Sequence, residues 1–313
     1  MKKVLLIDTR LWLYMHYHRK ESILSVFEAL SLIPCQDFSR IYFCFDYGKS
    51  YYHKAIYPDY KENRTEKREA MTQAEKERYK EFSRQYKDIQ GITKYFGTNI
   101  SLENAEADTV IEVLSDKFLR LGYEVWIASN DGDFMCLLDR PNLRLVTTRY
   151  EVLDEQGVIK KKGVTPKQLF ISKCLSGDTK DNIIGLGGLG EIKDTKSGAI
   201  LKKIFQEFGD YGGDVIDVLQ DRVNSGKLKL PENYPKENPV KNVRELYEFN
   251  RKLNQPFTFT DLTREHQETL SIQVNQKKLP FDQEEFDDDC FCMFGTMLYL
   301  QPTVKYFFNL KED

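Results

Sequence analysis

Three short apolar runs organise the first half of the chain. Val4-Leu5-Leu6-Ile7, Ile41-Tyr42-Phe43-Cys44-Phe45 and Val125-Trp126-Ile127-Ala128 are each continuous, the pattern of strands buried on both faces of a sheet. Before the third run, Ala107, Val110, Ile111, Leu114, Phe118 and Leu121 recur at spacings of three and four. That spacing predicts an amphipathic helix over 106–121. Strands alternating with helices predict an α/β fold with a mostly parallel sheet flanked by helices.

The remaining pattern is more polar. Residues 65–96 are charged and helix-forming, with little apolar periodicity in their first half, and predict an exposed helical excursion, not a core element. Thr165-Pro166-Lys167-Gln168 has the form of a capping box with proline at the first helical position, opening a helix through about Leu175. Glycines 185, 187, 188 and 190 predict a loop before a further helix near 197–208. Residues 223–241, rich in Pro, Asn and Lys, predict a surface loop.

Each apolar run ends on acid. Asp8 follows the first, Asp46 the second, and Asp131 and Asp133 the third. In parallel sheets the ligand crevice lies beyond the carboxyl ends of the strands, so these charges aim at one place. Glu106 and Asp108 stand at the start of the 106–121 helix, and Asp178 and Asp181 in the loop Gly177-Asp178-Thr179-Lys180-Asp181-Asn182. Taken singly, each has a plain reading: helix-dipole compensation, an acidic turn, an Asx turn. Eight acids in one crevice would repel strongly without countercharge. An all-oxygen donor set calls for hard divalent cations, Mg²⁺ with Mn²⁺ as substitute. Two such ions roughly 4 Å apart suit an in-line phosphoryl displacement.

Composition narrows the alternatives. The chain has 313 residues, 30% of them charged and 13% aromatic, with a formal charge of −3. The signs are uneven: 49–96 holds twelve Lys/Arg against eight Asp/Glu, whereas 282–289 is acidic. Six cysteines stand without CxxC spacing, and none of the four histidines has metal-ligand spacing to a cysteine, so reduced thiols and no zinc site are expected. No apolar run approaches the roughly 18 residues of a membrane span. A cytoplasmic protein, or one in the host cytoplasm if phage-encoded, is expected, without membrane contact and as a monomer.

Two stretches suggest nucleic acid. FDYGKSYYHKAIYPDYKENR, 45–64, interleaves Lys49, His53, Lys54, Lys61 and Arg64 with five tyrosines, and cations with aromatic faces suit phosphates and unpaired bases. Gly185 to Gly190 literally matches G-x-G-x-x-G, but no predicted strand immediately precedes it and it is not the first β–α turn of the chain, which disfavours a dinucleotide site. A glycine hairpin whose amides at Gly185, Gly188 and Gly190 face a phosphodiester backbone fits the nearby Lys193, Lys196, Lys202 and Lys203 better.

The motifs LLID (5–8), FD…YPDYKENR (45–64), AEADTVI (105–111), SNDGDF (129–134) and GDTKDNIIGLGGLG (177–190) together resemble the 5′-nuclease superfamily. That superfamily holds flap endonucleases, the 5′-3′ exonuclease domains of bacterial polymerases, and phage replication nucleases. FDYGKS…YKENR is similar to T5-type phage exonuclease; SNDGDF, GDTKDN, ELYEFNRKLN (245–254) and KKLP (277–280) are similar to T-even phage ribonuclease H. The resemblance implies a PIN-like nuclease core over 1–180 with a helical arch at about 65–96. It implies a helical C-terminal region over 181–313 with a helix–hairpin–helix-type DNA-binding module near 183–208, which in some relatives grips DNA around a monovalent cation.

By motif, Asp8, Asp46, Glu106 and Asp108 would hold one metal, and Asp131, Asp133 and Asp178 the second, with Asp181 nearby. Lys61 and Arg64 would stabilise charge on the scissile phosphate. Two positions depart from the pattern. Thr109 stands where many relatives carry a further aspartate, and EIKDT (191–195) is extra after the glycine hairpin.

The implied activity is 5′-3′ exonuclease, flap endonuclease and ribonuclease H-type primer removal on DNA and RNA–DNA hybrids during phage replication. A DNA-binding protein with catalysis weakened at Thr109 is the alternative, and a PIN-type ribonuclease acting on single-stranded RNA a third reading. A packed last element is expected near EEFDDDCFCMFGTMLYL; a docking segment for a single-strand-binding protein or sliding clamp is the other reading of that tail.

Overall fold

A computed structural model describes residues 1–17, 22–192, 198–209, 212–276 and 282–294. Its centre is a sheet of β1 (Lys3–Asp8), β2 (Arg40–Cys44), β3 (Thr98–Ile100), β4 (Glu124–Ala128), β5 (Leu143–Val146) and β6 (Val152–Leu153). Among the described residues the spatial order is β3-β2-β1-β4-β5-β6, with β6 alone antiparallel. Leu5 lies level with Ile41 on one side and Trp126 on the other. The three predicted strands are thus the three central ones, and their carboxyl ends lie together.

Strand alternation divides the core. Leu5, Ile7, Ile41 and Phe43 join one apolar cluster with α1 (Thr9–His16) and α2 (Ser22–Leu30). Val4, Leu6, Tyr42 and Val125 face the opposite cluster. After β2 come α3 (Tyr51–Ile56), α4 (Glu62–Glu69) and α5 (Gln73–Thr93), then α6 (Ala107–Arg120), the predicted amphipathic helix. Val110, Ile111 and Leu114 of α6 are fully buried against the sheet. Each such side chain contributes roughly 1.5–3 kcal/mol on leaving water.

The expected excursion at 65–96 needs correction. Its first part, α4 and the start of α5, is exposed, and α5 opens on a capping box between Thr72 and Glu75. From Phe82 onward the segment is anchored in the core: Phe82, Ile89 and Ile92 of the same helix, with Tyr95 and Phe96 just past its end, pack with Phe27 and Leu5. The exposed helical excursion is therefore confined to about 62–81.

Next follow α7 (Glu155–Lys162) and α8 (Pro166–Ser176), the latter with the predicted capping box from Thr165 to Gln168. A short hairpin of β7 (Gly177–Asp178) and β8 (Ile183–Ile184) leads to the glycine loop. Beyond it lie α9 (Ala199–Phe208), α10 (Gly212–Asn224) and α11 (Val243–Asn254). These helices share a third cluster with Tyr57, Tyr60, Ile171 and Leu175. The chain then returns to the sheet. Leu270 and Val274 of α12 (Arg264–Asn275) pack with α6, and Phe286 and Cys290 of α13 (Gln283–Phe294) pack on the side of α1 and α5. The sequence division at 180 is thus crossed by packing. KKLP and the tail beyond 294 lie outside the described residues. No helix among the described residues is long and apolar enough to cross a membrane.

Candidate functional site

Beyond the carboxyl ends of β1, β2 and β4 opens a cavity of about 820 Å³. All eight predicted acids line it: Asp8, Asp46, Glu106, Asp108, Asp131, Asp133, Asp178 and Asp181, together with Lys61 and Arg64. Local structure fixes the acids before any ligand does. Asp8 ends β1 and caps α1, accepting from the Leu11 amide at 3.1 Å and from Ser129 Oγ at 2.9 Å. Asp46 accepts from the Ala107 amide at the start of α6 at 2.8 Å. Asp131 caps the 3-10 turn 132–137 through the Asp133 amide at 2.9 Å, and Asp178 accepts from the Lys180 amide at 2.8 Å.

Burial and mutual repulsion act on these carboxyls together. Burial pushes Asp8 up to about 7, with Asp46 adding to the rise. Burial, then Asp8 and Asp131, raise Asp108 well above the carboxylate range. Asp131 is raised by burial and Asp133, and Asp178 by burial and Asp181. The cluster holds more negative charge than its own cations neutralise, which is the condition a divalent cation relieves. The donor set is wholly oxygen and fits Mg²⁺ or Mn²⁺ chemistry. Among the described residues no three His, Cys, Asp or Glu side chains close around a single point. An ion here would therefore complete its shell with water and substrate oxygens, as Mg²⁺ commonly does.

The cations sit on one backbone unit. Lys61, left-handed at φ 57°, starts α4 and donates to both oxygens of Glu106 at 2.7 and 2.9 Å; it lies 3.6 Å from Asp181. Arg64 donates to Asp181 Oδ1 at 2.5 Å and to the Lys180 carbonyl at 3.2 Å. Tyr60 donates to Asp181 Oδ2 at 3.0 Å, and the Lys61 amide to the Asp181 carbonyl. Burial opposes the charge on Asp181, but Lys61 and Arg64 outweigh it and hold that carboxyl low. Likewise burial works against the Lys61 ammonium, yet Glu106 and Asp181 raise its pKa. Asp181 thus organises the cations as well as facing the cavity.

Sequence reasoning missed two cations. Lys173 of α8 donates to Asp133 at 2.5 Å and lies 3.9 Å from Asp178. Burial opposes its charge, but Asp133 overrides it and raises the ammonium pKa. The available signal was a lysine in the apolar run Ile171-Ser172-Lys173-Cys174-Leu175. Arg10, directly after Asp8-Thr9, lies 3.4 Å from Asp46.

The expected nucleic-acid contacts divide. Lys49 is exposed. Lys54 donates to the Pro58 carbonyl and to Glu62, so it braces its own loop. His53 is corrected: it is buried, stacked on Tyr60 at 4.5 Å and bonded to Ser50, and burial followed by Lys61 lowers its pKa to about 3. Of the five tyrosines only Tyr47 and Tyr51 are exposed; Tyr52, Tyr57 and Tyr60 are core.

Gly185 meets a packing demand first. A Cβ there would lie 2.1 Å from the Ser176 carbonyl carbon. Gly188, at φ +91°, and Gly190 are exposed. Lys193 and Lys196 lie outside the described residues, Lys202 is half-buried and Lys203 is exposed. Thr109 is buried, its hydroxyl lacks a hydrogen-bond partner among the described residues, and it is absent from the cavity wall.

Comparison with known proteins agrees with the fold. The profile of the 5′-3′ exonuclease, N-terminal resolvase-like domain matches residues 3–163. The flap endonuclease of Escherichia phage T5 is 32% identical over 190 residues, 60% of this chain and 61% of that protein. DNA polymerase I of Synechocystis is 33% identical over 141 residues, 41% of this chain and 14% of the polymerase. The matched part therefore spans less than two thirds of either relative. A bacteriophage T5 flap endonuclease structure, a pseudo-enzyme–product complex with DNA and metal ions, superposes with TM-score 0.67 at 22% identity, covering 87% of this chain and 97% of that one. The catalytic core of Rad2 with DNA substrate gives 0.50 at 14% identity, covering all of this chain and 93% of that one. At these identities the structural likeness establishes the shared PIN-like fold.

Proposed function

The chain belongs to the 5′-3′ exonuclease family, and from that premise we propose that it is a divalent-metal-dependent 5′-nuclease. It hydrolyses phosphodiesters at 5′ ends and flap junctions of DNA and RNA–DNA hybrids. The observation that carries this reading is one cavity that gathers eight carboxylates, Lys61 and Arg64 beneath the arch.

Asp8, Asp46, Glu106 and Asp108 would hold one Mg²⁺, and Asp131, Asp133 and Asp178 a second. When bound, the two ions would supply an activated water and stabilisation of the leaving oxygen. The chain's own residues do the rest. Lys61 and Arg64, already fixed by Glu106 and Asp181, present cations to the phosphate whose charge grows in the transition state. Helix dipoles and backbone amides at Leu11 and Ala107 keep Asp8 and Asp46 oriented. Lys173 keeps Asp133 and Asp178 together while they carry charge. Single-stranded 5′ nucleic acid passes beside α5, whose Tyr79, Phe82 and Arg78 line the cavity, and the 183–208 region grips duplex. The role we assign is RNA-primer and flap removal in phage replication, with ribonuclease H activity. The alternative of a weakened DNA-binding module leaned on Thr109, which lies off the cavity wall.

The test uses 5′-labelled flap substrates with matched RNA or DNA 5′ strands, in Mg²⁺ or EDTA, with Asp131→Asn beside the wild type. Mg²⁺-dependent 5′ products that vanish in the variant while binding persists support the reading. Binding without cleavage at any divalent ion moves it to the DNA-binding module.

A further inference from the structure

The cavity wall made by α1 and α5 carries a cation not yet given a role toward substrate. Arg10 stands in the first turn of α1, its Nε 3.4 Å from Asp46 Oδ2. Its guanidinium lies over the rings of Phe82 and Tyr86, 5.4 and 5.5 Å from their centroids. The Tyr86 hydroxyl in turn accepts the Asp46 amide at 2.7 Å. Arg10, Asp46 and the root of the arch therefore form one knot, beside Arg78 and Tyr79 on the same cavity.

A purely structural ion pair explains little of this. The contact with Asp46 is single and long, not the two-pronged pairing that makes Arg–carboxylate bonds strong. The side chain is 36% exposed. Stacking on two rings fixes the plane of the guanidinium, and a fixed plane directs its edge donors at a phosphate in a way a lysine cannot. The surrounding cations and aromatic rings match the chemistry of an unpaired strand.

We propose that Arg10 contacts substrate, binding a phosphate of the unpaired 5′ strand between α1 and α5. This rests on the reading of the chain as a 5′-nuclease.

The experiment measures binding by fluorescence anisotropy, with Ca²⁺ in place of Mg²⁺. The probes are a duplex with a single-stranded 5′ tail and the same duplex without it. Wild type, Arg10→Ala and Arg10→Lys are compared, and tail phosphates are replaced singly by neutral methylphosphonates. Arg10→Ala should weaken tailed binding about tenfold, as losing one phosphate-directed arginine does, and leave the untailed duplex within about twofold. Arg10→Lys should recover part of the loss. One methylphosphonate position should weaken the wild type about tenfold yet leave Arg10→Ala unaffected.

Equal losses on both probes, or methylphosphonates that cost both proteins alike, would overturn the proposal in favour of a structural role. Arg10→Lys, which keeps a cation on Asp46, carries the test even if the alanine variant folds poorly. A wild type that binds the tail through Arg10 but cuts nothing in Mg²⁺ refutes the nuclease reading alone. One that cuts while Arg10→Ala binds both probes normally refutes the Arg10 contact alone.

Discussion

The Lys61 ammonium donates to both carboxylate oxygens of Glu106, at 2.7 and 2.9 Å, while its own backbone amide donates to the Asp181 carbonyl. The cation is held by Glu106, with Asp181 3.6 Å away. Its position is therefore set before substrate arrives, the condition under which a charge stabilises a transition state without reorganising.

Lys61→Ala should lower the single-turnover rate by roughly 10²–10³, the usual cost of one preorganised donor. Flap binding in Ca²⁺ should change far less. A fall in affinity as large as the fall in rate would show that Lys61 serves binding only.

The acids make stability depend on pH in an unusual direction. Asp8 has a folded-state pKa of about 7, above the ordinary carboxylate value, because burial and Asp46 favour its protonated form. Between those two values the native state binds more protons than the unfolded one, so stability falls as pH rises through that window. Asp8→Asn should raise Tm at pH 8, by roughly 2 °C for each ~1 kcal/mol of relieved repulsion. The gain should disappear below about pH 4, where both states are protonated. A Tm gain that is the same at pH 4 and pH 8 would contradict this cause.

Lys173 neutralises Asp133 directly, and its removal leaves Asp133 and Asp178 without their shared cation. Lys173→Met should cost about 2 kcal/mol in EDTA, less than a fully buried pair because Asp133 is partly exposed. Mg²⁺ should restore part of that loss by supplying the missing charge. Thermal melts with and without Mg²⁺ would show it; identical losses in both would argue against charge as the cause.

Gly185 has no room for a side chain against Ser176 and Gly177. Gly185→Ala should destabilise by about 1–3 kcal/mol, as overpacking does, and displace the β7–β8 hairpin that carries Asp178. Urea melts and flap cleavage should therefore both respond. Intact stability with lost cleavage would instead make Gly185 a DNA contact.

The strands, their terminal acids and α6 were legible because each rests on a short-range pattern: continuous apolar runs, spacing of three and four, an acid at a boundary. What escaped depended on distant packing. Phe82, Tyr86, Ile89 and Ile92 form a stripe along α5, diluted in sequence by the charges on its other faces. Tyr57 and Tyr60 turn inward because α8 through α11 supply a third core around them, with His53 stacked on Tyr60, while Tyr52 packs into the cluster of α6 and α12. Arg10 reads as an ordinary surface residue until α5 is placed against it.

The bond from Ser129 to Asp8 joins positions 121 residues apart, and β1 lies between β2 and β4, both of which follow it in the chain. On the ribosome, the strand that carries Asp8 must wait for β4 to emerge before its second edge is covered. Parallel pairings at such separation form late in folding. The acids of the cavity then come together only as the last central strand docks, so under the proposed nuclease reading a nascent chain beside nucleic acid would stay inert until its core is complete.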